Sequence, residues 1–168
     1  MKPMFDHEKL EVYQLELQFI TWATELMAEV MASGAARVAD TCDHLDRASA
    51  SALFNTAEGN GKRQRQVRVR YFDDARGSVM ECASCLDALV AKGATTHEGI
   101  LEGKEMLVRE YSMLTKLVQR SSDDESVHED EVGYGAGAEG IEDEDEGRGR
   151  LGKRGNRGRG TRTRDEDD

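Results

Sequence analysis

The chain has 168 residues, with 23 Lys or Arg against 34 Asp or Glu, a formal net charge of −11. Residues 1–120 hold 15 basic and 18 acidic side chains and residues 121–168 hold 8 and 16, so most of the charge falls beyond residue 120. No run approaches the roughly 18 consecutive apolar residues of a membrane-spanning helix, the N-terminus lacks the apolar core of a signal peptide, and three cysteines leave no closed disulfide framework. The expectation is a reduced, cytoplasmic protein with no membrane partner.

Residues 1–120 suit one compact domain with one core. Residues 121–168 carry too few apolar side chains (Val127, Val132, Tyr134, Ile141 and Leu151) to offset the entropy of ordering them. They are expected to form a disordered tail. It is acidic over 123–146 and Arg-Gly-rich over 147–164, where Arg148, Arg150, Arg154, Arg157 and Arg159 are candidates for contact with single-stranded RNA.

The only proline is Pro3, so no residue of the body is barred from helix on that account. The spacing predicts a first helix over 8–31 with two apolar stripes. Leu10, Tyr13, Leu17, Ile20, Met27 and Met31 form one, and Val12, Phe19, Ala23, Leu26 and Val30 the other. So wide an apolar arc implies a second neighbour, in the same chain or another subunit. Gly34 supplies a left-handed stop. A second helix is predicted over 36–58, rich in Ala and Ser, with Val38, Cys42, Leu45, Leu53 and Phe54 interspersed and Gly59-Asn60-Gly61 as its end. A third runs to residue 91 on Val69, Phe72, Ala75, Val79, Cys82, Leu86 and Leu89, and Gly93 ends it. Thr95 with Glu98 forms a capping-box pattern for a fourth, carrying Ile100, Leu101, Leu107, Val108, Tyr111, Leu114, Leu117 and Val118. Short connections make these an up-down-up-down antiparallel four-helix bundle, an all-α fold.

Four segments carry a resemblance. Leu53-Phe54-Asn55-Thr56-Ala57-Glu58-Gly59-Asn60-Gly61 resembles the Asn-Ile-Ala-Glu-Gly-x-Gly signature of a bacterial four-helix-bundle family, first recognised as reading frames within intervening sequences of 23S rRNA genes. Ala75-Arg76-Gly77-Ser78-Val79-Met80-Glu81 resembles that family's Ala-Arg-Gly-Ser-x-x-Glu motif. Residues 5–13 and 103–117 resemble its first and last helices. Thr56 stands where the signature has isoleucine, and Ala52-Leu53-Phe54 lacks the usual proline. The resemblance implies a homopentamer with no established enzymatic activity. It also brings in a relative, the accessory protein of diversity-generating retroelements, which is basic and associates with a reverse transcriptase and its template RNA.

The marked residues Asn55, Glu58, Gly59, Arg76, Gly77, Ser78 and Glu81 admit a structural or an interface role. Read structurally, Gly59 is the C′ residue of the second helix and Asn55 binds loop backbone. Glu58 needs a cation from Lys62, Arg63 or Arg65 to offset the helix macrodipole. Gly77, costly in mid-helix, implies close approach of another helix. Arg76 is expected to pair with Asp43 or Asp46, or with a residue of another subunit. The run Lys62, Arg63, Arg65, Arg68 and Arg70 is either a solvated helix start or a phosphate-binding patch. Cys82 and Cys85 read as buried small residues, because no second ligand pair accompanies them. No catalytic, cofactor or metal site is legible, and no small-molecule substrate is expected. The sequence points to an oligomeric scaffold with RNA or a ribonucleoprotein as partner, or alternatively to an accessory subunit of a reverse transcriptase.

Overall fold

A computed structural model describes residues 3–123; residues 121–123, expected to begin the tail, are instead helical, and the rest of the expected tail lies outside the described residues. A short 3-10 turn, His7–Lys9, leads into four α-helices: α1 (Glu11–Ala32), α2 (Ala39–Gly61), α3 (Arg65–Ala91) and α4 (Leu101–Asp123). No strand occurs among the described residues.

Cross-helix contacts fix the directions. Ser78 meets Ser51 while Phe72 meets Gly59, so α2 and α3 run antiparallel. Lys104 reaches Asp87 while Tyr111 reaches Arg76, which makes α4 antiparallel to α3. The helices therefore alternate up and down, and among neighbouring helices α2 against α3 is the most extensive contact and α1 against α4 the least.

The core takes one stripe from each helix. Val12, Phe19, Ala23, Leu26 and Val30 of α1 are buried, as are Phe72, Ala75, Val79, Cys82, Leu86 and Leu89 of α3. The other α1 stripe is covered only in part, and Leu17 and Met31 remain exposed. Phe54 is 62 % exposed, because Leu53 and Thr56 take the inward positions of that turn. On α4, Leu101 and Val108 also face outward.

Helix ends follow local chemistry, with two corrections. Gly34 and Gly93 both take positive φ, of 72° and 68°. At Gly93 the amide bonds the Val90 carbonyl and the next amide, Ala94, bonds Leu89, the paired pattern of a Schellman stop. The second helix does not stop before Gly59. It runs through Gly61 and ends with Lys62 extended. The fourth begins at Leu101 rather than at a Thr95 cap. Thr96 instead accepts the Gly99 amide at 3.0 Å, in the turn that precedes the helix.

Candidate functional site

Gly59 is buried within α2, and a methyl group there would lie 2.8 Å from Cε1 of Phe72 and 3.1 Å from Cβ of Tyr71. Its role is close helix approach, not a left-handed stop. One turn earlier, the Asn55 amide donates to the Ser51 hydroxyl at 3.3 Å, and Ser51 shares a 3.0 Å hydrogen bond with Ser78. The expectation that Asn55 binds loop backbone is thereby corrected. The two motif segments meet through a polar chain across the α2–α3 seam, with Gly59 closing the same seam toward its end.

Glu58 remains exposed, 3.3 Å from Nζ of Lys62, which also lies over the Tyr71 ring at 4.7 Å. The Tyr71 hydroxyl and then the Lys62 ammonium hold the Glu58 carboxyl below the usual carboxylate range. One of the three cations expected to offset the helix end is thus in place.

Arg76 takes neither Asp43 nor Asp46. It bonds Asp73 one turn back at 3.1 Å and the Tyr111 hydroxyl at 2.9 Å, with its guanidinium 4.8 Å from the Tyr111 ring centroid. Because α2 continues to Gly61 and a three-residue connection follows, the hairpin pivots later than expected. Asp43 and Asp46 are then more than a turn away from the level of Arg76. Gly77 is exposed, with nothing within 4 Å of where a methyl would sit, so no helix of the described chain approaches it. Glu81 is exposed, with its Oε2 3.6 Å from Nε2 of His44.

The cationic run lies at the end of the bundle where α2 turns into α3. Arg68 donates to the Lys62 carbonyl through two nitrogens, at 3.1 and 2.7 Å, and so ties down the connection. Arg63 and Arg70 are exposed. Arg65 and Arg68 line a cleft of about 270 Å³ with Asn60, Phe72, Leu117 and Arg120. Arg120 joins because antiparallel packing returns the last turn of α4 to the start of α3, a proximity that no local pattern contains. The first turn of α3 has no acidic residue, and its N-cap Gln64 makes no side-chain cap, so the positive end of the helix adds to this field. Arg148, Arg150, Arg154, Arg157 and Arg159 lie outside the described residues.

The bundle interior holds polar groups that the sequence reading missed. Glu16 and Glu110 are each 1 % exposed and Thr56 is fully buried. The Thr56 hydroxyl donates to Oε1 of Glu16 at 2.6 Å. The substitution of threonine for the signature's isoleucine thus has a physical reason, a buried carboxyl in reach. Burial raises the Glu16 carboxyl to about 7, and burial together with the neighbouring Glu16 raises Glu110 to about 8. Burial also pushes the Cys82 thiol up, which makes it inert as a nucleophile. The only sequence signal for the two glutamates was their place on otherwise apolar faces.

Among the described residues no group of three or more His, Cys, Asp or Glu is placed to hold a metal ion, and no helix is long and apolar enough to cross a membrane. The fold and the seam define an all-α four-helix-bundle protein whose marked residues mostly hold α2 against α3. The family model for the 23S rRNA-intervening sequence protein matches residues 8–116. The chain belongs to that family, and the match covers all four helices as far as residue 116 within α4. Comparison with curated proteins gives no match.

Proposed function

We propose that the protein is a non-enzymatic, oligomeric four-helix scaffold of the cytoplasm that binds RNA or a ribonucleoprotein through the cationic end of its bundle. The observation that carries this reading is the convergence of Arg65, Arg68 and Arg120 on one cleft, with exposed Arg63 and Arg70 beside it. Phosphates entering such a field release counterions, which makes binding favourable at low salt and steeply weaker as salt rises. The buried chemistry of the bundle is closed to a substrate, which favours binding over catalysis. Assembly is supported by the exposed Met80, Leu101 and Val108 on α3 and α4, a cluster that another copy would cover. The resemblance implies a pentamer. The alternative, an accessory subunit of a reverse transcriptase, is less favoured, because that relative is basic while residues 1–120 carry more acidic than basic side chains.

Fluorescence anisotropy with a labelled RNA oligonucleotide tests the reading. The full chain is expected to bind at low salt and weaken as salt rises, and the Arg63→Glu/Arg70→Glu variant to bind more weakly with a shallower salt slope. No binding by the full chain at low salt overturns it. Light scattering is expected to show an oligomer that Val108→Asp dissociates, and a monomeric wild type rejects assembly.

A further inference from the structure

Glu16 on α1 and Glu110 on α4 are both buried in the core and lie within electrostatic reach of each other, on the two neighbouring helices with the least extensive contact. Their level follows from the register: Gly103 of α4 lies against the ring of Trp22 on α1, and antiparallel counting from that pair brings residue 16 to within one residue of the level of residue 110. Each glutamate keeps one carboxyl oxygen buried with no hydrogen-bond partner, Oε2 of Glu16 and Oε1 of Glu110. From the other helices, Thr56 of α2 donates to Glu16, and Cys82 of α3 lies within electrostatic reach of Glu110. The cation acting on Glu110 is its exposed neighbour Arg109, and no ion pair reaches either carboxylate among the described residues.

Two carboxylates cannot both be ionised at this place without strong cost, since like charges share a dry site and two oxygens lack donors. A proton on either acid removes the repulsion and adds an O–H donor for the orphaned oxygens. We propose that Glu16 and Glu110 form a proton-holding acid pair that closes the α1–α4 seam and loosens it as the pH rises.

Folded values of about 7 and 8 against an ordinary 4.5 belong to the pair as a unit. Both are raised, so the folded chain binds more protons than the unfolded chain between pH 4.5 and about 8. The stability the pair contributes is fully present below pH 4.5 and is lost as the pH rises through 7 and 8. For each proton retained, the folding equilibrium falls about tenfold per pH unit in that window.

The experiment is chemical unfolding of the full chain from pH 5 to 9, with Glu16→Gln, Glu110→Gln and the double variant, each glutamine standing for a protonated acid. Wild type is expected to lose stability from pH 5 to about 8 and to level off above that, and the double variant to show a flatter profile. Parallel profiles overturn the proposal. Trp22, the sole tryptophan, lies on the seam, and its fluorescence is expected to titrate near neutrality in wild type and not in the double variant. Infrared spectroscopy of the wild type makes the test independent of the variants' folding. A protonated-carboxyl band at pH 7 that fades by pH 9 supports the pair, and its absence overturns it. Stabilisation of wild type at pH 8 by magnesium or manganese ions also overturns it, because the carboxylates would then be metal ligands.

Discussion

Gly59 and Gly77 sit within α2 and α3, and the same substitution is expected to have opposite effects at the two. In either helix, alanine gains about 1 kcal/mol of helix propensity over glycine. At Gly77 nothing opposes that gain, because a methyl there meets no atom within 4 Å. At Gly59 the methyl would lie 2.8 Å from the Phe72 ring, which is buried. Overpacking of this kind costs about 1–3 kcal/mol. Since the propensity gain is common to both variants, the difference between them isolates the steric cost at the α2–α3 seam. At about 4 °C per kcal/mol for a domain of this size, Gly77→Ala should melt about 4–12 °C above Gly59→Ala. Thermal unfolding of the two full-length variants at matched concentration measures this directly. Phe72→Leu should then cost less in the Gly59→Ala background than alone, since the shorter side chain vacates the clash. Two variants that melt together, both above wild type, would refute close packing as the reason for glycine at position 59.

Thr56→Ile restores the signature residue but removes the hydrogen bond to Glu16, and is expected to destabilise by about 1–3 kcal/mol. Adding Glu16→Leu should recover much of that loss, read as a coupling energy in urea unfolding. Arg76→Ala should cost about 1–2 kcal/mol through its bond and ring contact with Tyr111, whereas Asp43→Ala, its partner by sequence reasoning, should leave the melting temperature unchanged. Gly103→Ala places a methyl in the six-membered ring of Trp22 and should shift that tryptophan's emission as well as lower stability.

Much of the architecture was legible because helix identity is a local property. The 3.6-residue spacing of Val69, Phe72, Ala75, Val79, Cys82, Leu86 and Leu89 defines one stripe whatever it packs against; the last six are buried, and Val69, near the start of the helix, is half-buried. Gly34 and Gly93 were readable as stops because their left-handed conformation depends on little beyond the residue itself. Gly59 was misread by the same rule. A glycine that ends a helix and one that admits a neighbouring ring look alike in sequence, and only the position of Phe72 separates them.

The pairings between helices were not local. Arg76 chose Tyr111 over Asp43 because a few residues of extra helix in α2 moved the register, and register is a property of the assembled hairpin. Arg120 reached the cleft of Arg65 and Arg68 by antiparallel packing alone. Sequence by itself determined four helices, their apolar faces, the family and the cationic run. Tertiary structure decided which face each glycine serves and which partner each arginine takes. It also decided that two glutamates meet in the core, where a low-dielectric site converts two ordinary acids into one coupled pair.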